Sequence, residues 1–157
     1  MNKKIFSFLL AGVMLFGVSA FAEGEEEEKL ISPAPLTISL TIGEKQLVAD
    51  DTVIDLDVAP CIIDGRTMIP LRAVLEMLGA SVQWDAETRT VYALREDVVI
   101  VMQIGQSAMF INSVRVPIEA PSVIVNDRTM VPIRTIAEAY GSTVSYDEET
   151  KTVTIVK

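Results

Sequence analysis

The sequence predicts an α+β fold built from two copies of one strand-strand-helix-strand-strand unit. Two observations carry this. Ile63–Arg72 (IDGRTMIPLR) and Val125–Arg134 (VNDRTMVPIR) match at an offset of 62 residues, and comparing 63–94 with 125–156 gives 13 identities in 32 positions. Such a fixed offset marks a repeated structural unit. Each copy is also punctuated as a short helix followed by a hairpin, with proline before the helix and glycine after it.

The chain opens with Lys3 and Lys4, an apolar run of about 14 residues from Ile5 to Val18, and Ala20-Phe21-Ala22. This is the pattern of a secretory signal peptide over residues 1–22, with cleavage expected after Ala22. The run is shorter than the roughly 20 residues a spanning helix needs, so no membrane span is expected after cleavage. The exported chain is expected to be secreted or to stay at the cell envelope.

Residues 23–35 read as a flexible tether, since Glu25–Glu28 is a like-charge block and Pro33 and Pro35 follow. The acids lack the alternating ligand spacing and turn glycine of a calcium loop. The whole chain carries a net charge of -9. Removing the signal takes two lysines and no acid, so the exported chain stands at -11. A nucleic-acid backbone would be repelled, and no nucleic-acid partner is expected.

Residues 36–157 hold the repeated unit, with copies over about 36–95 and 98–157. A strand pair is expected before each helix, turning at Asp50-Asp51 and at Asn112-Ser113, with Ile54, Leu56 and Val58 alternating against Asp55 and Asp57. Val98–Met102 is continuously apolar and is expected as a central strand buried on both faces. Pro70 and Pro132 are placed in the first helical turn, and Gly79 and Gly141 just past the last. Between them Leu71, Val74, Leu75 and Leu78 form an apolar stripe, as do Ile133, Ile136, Ala137 and Tyr140. Asp85 and Asp147 then open the type I turns of two hairpins.

These residues resemble the copper amine oxidase N-terminal domain family, also called the stalk domain. The paired Arg-Thr-Met-Ile/Val-Pro-Leu/Ile-Arg, the glycine step, Val-x-Trp/Tyr-Asp and Thr-x-Thr-Val carry the resemblance over essentially all of 36–157. It implies antiparallel sheets twisted around short helices, with the two repeats intertwined, and a stalk-like or contact-making role. It does not bring amine oxidase chemistry, because that requires three copper-binding histidines and these 157 residues contain none. No cofactor and no metal are expected.

Four motif arginines, Arg66, Arg72, Arg128 and Arg134, are candidate ligands for an anionic wall polymer. The alternative is that each ties its own turn or helix to an acid, with Asp85, Asp147, Glu76 and Glu138 as partners. Arg72/Glu76 and Arg134/Glu138 have i,i+4 spacing. Trp84 and Tyr146 are candidate sugar-stacking platforms, but their phase with Val82 and Val144 predicts core packing. Met68, Met102, Met109 and Met130 fall in apolar runs and read as core fillers rather than soft-metal ligands. Cys61, the only cysteine, reads as a small buried hydrophobe, with a reactive or intermolecular thiol as the alternative.

The pairs Asp55/Asp57 and Asp50/Asp51 are the remaining acid/base material; Asp55 and Asp57 share the solvent side of their strand, with nothing apolar on that side to raise one pKa, so no catalytic residue is assigned. The expected function is a non-enzymatic binding or scaffold module. A wall polysaccharide binder and an accessory or inhibitory subunit of another secreted protein are the alternatives. A homodimer through edge strands such as Thr152–Val156 is a further expectation.

Overall fold

The computed structural model describes residues 34–157; the expected signal peptide and residues 23–33 of the tether lie outside the described residues. Fourteen strands and two helices follow one another as β1 (Thr37–Thr41), β2 (Gln46–Ala49), β3 (Thr52–Asp55), β4 (Cys61–Ile63), β5 (Arg66–Pro70), α1 (Leu71–Met77), β6 (Ser81–Asp85) and β7 (Thr90–Arg95). Then come β8 (Val98–Gln103), β9 (Ala108–Ile111), β10 (Val114–Pro117), β11 (Val123–Val125), β12 (Arg128–Pro132), α2 (Ile133–Ala139), β13 (Thr143–Asp147) and β14 (Thr152–Val156). The architecture is α+β, dominated by antiparallel sheet.

Five strands precede each helix, where a single strand pair was expected. The motif itself is extended: β4 and β5 form a hairpin across Asp64-Gly65, and β11 and β12 form another across Asn126-Asp127. Both turns need left-handed backbone at two positions, and Asp64, Gly65, Asn126 and Asp127 all have φ between 48° and 73°. Asn112 and Ser113 likewise adopt φ of 47° and 68° without a glycine.

Three sheets result. Sheet A has the order β13-β14-β1-β2-β3, sheet C the order β10-β9-β8-β7-β6, and sheet B the order β11-β12-β5-β4. Exchanging every strand of sheet C for the one seven places away reproduces sheet A. Sheet A therefore takes its last two strands from the C-terminal half, and sheet C takes β6 and β7 from the N-terminal half. In sheet B, β5 and β12 pair so that Ile69 faces Val131, two positions that match at the offset of 62. The strand β14 is paired on both sides, with β13 and β1, so it offers no free edge to a second molecule.

Both helices are two turns long. Pro70 and Pro132 are N-caps in extended backbone (ψ 113° and 110°), one position earlier than expected, because each also completes the preceding strand. At the other end the Ala80 amide donates to the Leu75 carbonyl (2.9 Å) and the Gly79 amide to Glu76 (3.0 Å). Ser142 and Gly141 repeat this on Ala137 and Glu138. This is the paired termination that a left-handed glycine permits, and Gly79 and Gly141 stand at φ 86° and 75°.

The main core gathers one face of sheets A and C with both helices: Ile38, Leu47, Leu75, Ile100, Ile136 and Ile155 are at most 2 % exposed. Val98–Met102 occupies the middle of sheet C, but only Ile100 and Met102 are buried; Val99 is exposed on the outer face, so this strand is covered on one side. A smaller core of Val58, Met68 and Met130 closes over sheet B, with Cys61 packed beside it. All four core methionines are buried, as fillers should be. Burial raises the pKa of the Cys61 thiol, which suits its apolar surroundings.

Candidate functional site

The topology creates two related clefts from matching residues. Because β6 is the outermost strand of sheet C, no strand covers one flank of Trp84, and the residue is 39 % exposed. Tyr146 on the outermost strand β13 is 37 % exposed for the same reason. The core positions expected for the two rings are thus corrected: their phase matches Val82 and Val144, but those valines are themselves only half-buried at a sheet edge. Periodicity identifies a face, not whether the strand is flanked.

The first cleft encloses about 910 Å³ and brings Trp84, Arg72, Glu76 and Asp57 together with Arg128 and Asp127 from the other half of the chain. The second encloses about 160 Å³ and joins Tyr146, Arg134 and Glu119 to Arg66. Each therefore takes its helix arginine and aromatic ring from one half and its turn arginine from the other. All six candidate residues fall in one cleft or the other, but as two groups rather than a single four-arginine cluster.

The acids that meet these arginines differ from those expected. Arg128 Nε donates to Asp57 Oδ2 at 2.7 Å, a contact spanning 71 residues of sequence. Arg134 stands 4.0 Å from Glu119, the residue that matches Asp57 at the offset of 62. Among the described residues, Arg72 and Arg66 form no ion pair within 4.0 Å, and neither i,i+4 pair closes. Asp85 and Asp147 are occupied by their own turns. Asp85 accepts the Thr88 hydroxyl (2.8 Å) and the Glu87 amide (2.9 Å), and Asp147 accepts the Glu149 (2.8 Å) and Thr150 (3.3 Å) amides. Hydrogen bonds to the ionised form hold both carboxyls below their ordinary range, led by the Thr88 hydroxyl at Asp85 and by the Thr150 amide at Asp147.

Of the remaining acid/base material, Asp50 accepts from the Thr37 amide at 2.9 Å, and Asp55 and Asp57 are also engaged. Asp55 accepts from the Gln46 side chain at 3.5 Å, and Asp57 holds Arg128. Among the described residues no group of three or more Cys, Asp or Glu stands together as a metal site, and no helix is long and apolar enough to cross a membrane.

Two basic residues escaped the sequence reading. Arg95 Nη1 donates to the Tyr140 carbonyl at the end of α2 (3.0 Å), and Lys157 Nζ donates to the Leu78 carbonyl at the end of α1 (3.4 Å). They match at the offset of 62, as do their two acceptors, and each caps the helix of the opposite half. The Arg95 guanidinium also lies 5.8 Å from the centre of the Tyr140 ring. Their matched spacing was the available signal. The outer face of sheet C was missed as well. Tyr92, Leu94, Val99 and Phe110 are 39–48 % exposed there, where the matching face of sheet A carries Thr154, Val156, Thr37 and Val48.

A comparison with curated proteins gave no match. The family model of the copper amine oxidase N-terminal domain matches residues 15–93 and again residues 48–155. Two overlapping matches that between them span most of the sequence, over a fold in which each sheet draws on both halves, establish that the chain belongs to the copper amine oxidase N-terminal domain family.

Proposed function

We propose that the chain is an exported, non-enzymatic binding module of two intertwined copies of one unit, working at the cell envelope and holding its target in the Trp84 cleft. The observation that carries this is a tryptophan, Trp84, more than one-third exposed and lining a cleft of about 910 Å³. That volume falls within the roughly 300–1,000 Å³ common for ligand sites, and a buried scaffold tryptophan would have no need of it. The non-enzymatic reading rests on the chemistry of the lining, where each carboxylate of the Asp55/Asp57 pair is engaged.

Co-sedimentation of residues 23–157 with purified cell walls tests the reading. The chain is expected to pellet with the walls and Trp84→Ala to stay in the supernatant. Equal pelleting of the two proteins would refute the cleft as the site.

A second reading, contact with a secreted protein, is favoured by the outer face of sheet C. The matching positions of sheet A carry the smaller Thr154, Val156 and Val48, so the fold itself does not demand the large apolar side chains of Tyr92, Leu94 and Phe110 in solvent. Crosslinking of the exported chain in culture fluid, with Phe110→Asp as the control, separates this reading from the first.

A further inference from the structure

We infer that the Trp84 cleft takes a neutral saccharide chain rather than the phosphate or carboxylate groups of an anionic polymer. This rests on the reading of that cleft as the binding site and narrows its ligand.

The electrostatics oppose an anion. Two arginines line the cleft, Arg72 and Arg128, against four acids, Asp55, Asp57, Glu76 and Asp127. Arg128 is already held by Asp57 at 2.7 Å. Arg72 has Glu76 one helical turn away, which offsets its charge even without a direct pair. A polyanion would then meet a net negative lining on a chain of net -9. What survives pairwise cancellation is hydrogen-bonding capacity. Carboxylates and guanidinium groups in contact still present free acceptors and donors, which suit vicinal hydroxyls that carry no charge.

The ring supplies the other half of recognition. A pyranose has an apolar C–H face and a polar rim, so it needs a flat apolar surface edged with polar groups. Trp84 offers that surface, and Arg72, Glu76 and Asp57 stand in the same cleft. The second cleft holds Arg134 and Glu119 around Tyr146 without the counterpart of Glu76, and at about 160 Å³ it falls below the range for a ligand of this size. One site per chain follows, with a built-in control.

Trp84 is the only tryptophan in the sequence, so its emission reports on the site alone. The exported chain is titrated with β-1,4-linked tetramers of glucose and of N-acetylglucosamine, with oligogalacturonate and with hexalysine, each at low and high ionic strength. Saturable change with a neutral tetramer is expected, with a midpoint insensitive to salt, retained in Tyr146→Ala and weakened roughly tenfold in Glu76→Gln. Response confined to oligogalacturonate, or confined to hexalysine and lost in salt, overturns the proposal in favour of an anionic polymer or a cationic peptide. If no oligomer changes the emission while cell walls still pellet the wild type and not Trp84→Ala, the saccharide assignment fails and the binding-module reading stands. If walls do not pellet the protein either, both fail.

Discussion

Replacing Arg95 with methionine removes the guanidinium and keeps an apolar stem of similar length, so it isolates the head group. Four interactions end with it: the hydrogen bond to the Tyr140 carbonyl, the attraction of a cation to the last turn of α2, the contact with the Tyr140 ring at 5.8 Å, and a pair at 3.4 Å with the solvent-exposed Glu96, which adds little. The Arg95 side chain is only 13 % exposed, so solvent screens these weakly. A charged hydrogen bond contributes about 1.5–3 kcal/mol, and a cation at a helix C-terminus or over a ring about 0.5–1 kcal/mol. The contributions overlap, which puts the loss at about 2–3 kcal/mol. For a domain of this size about 4 °C accompanies each kcal/mol, so thermal unfolding followed by circular dichroism should shift down by about 8–12 °C. Lys157→Met loses the matching contact, longer at 3.4 Å and at the end of β14, and should cost about 0.5–1 kcal/mol. A shift under about 2 °C for Arg95→Met would refute the claim that the two halves are joined through these helix ends.

Three further outcomes follow from the same geometry. The Tyr140 hydroxyl is buried with no hydrogen-bond partner, and desolvation pushes its pKa up to about 12. The unfolded chain deprotonates first, so stability is intact below pH 10 and falls by up to about 2.7 kcal/mol as pH rises to 12, and urea midpoints across that window should show a loss that Tyr140→Phe abolishes. Gly79→Ala and Gly141→Ala place a side chain at φ 86° and 75° with room for it, so each should cost about 1–2 kcal/mol from backbone conformation alone in chemical denaturation. Asp85 and Asp147 have depressed folded pKa values, so their contribution is present above the ordinary carboxylate range and lost as pH falls through the folded value. The double variant Asp85→Asn, Asp147→Asn should therefore flatten the acid side of a melting-temperature profile.

Local chemistry was legible from sequence wherever a few adjacent residues decide the outcome. Gly79 and Gly141 end their helices, and Asp85 and Asp147 close their hairpins, because each choice is settled within one turn of chain. The strand of the motif was not legible, since Pro70 serves equally as a first helical residue and as the last residue of a strand. Trp84 was misplaced for a different reason. Alternation puts it on the inward side, but whether another strand covers β6 depends on sheet order, which is fixed by pairings tens of residues apart. The arginine partners failed in the same way: Arg128 finds Asp57 across 71 residues, because the two halves exchange strands, and the motif carries no mark of that exchange.

The pairing of β1 with β14 has a mechanical consequence. Thr37 lies opposite Val156, and the Lys157 amide donates to the Leu36 carbonyl at 3.0 Å, so the folded segment begins and ends at one corner of sheet A. Tension applied to its two ends would open that ladder one rung at a time, like a zipper, instead of loading all rungs in shear. Set into a longer polymer, the folded unit would hang to the side as a pendant, adding almost nothing to the reach of the chain that carries it. Loaded rung by rung, that ladder would also yield at a lower force than the same ladder pulled in shear.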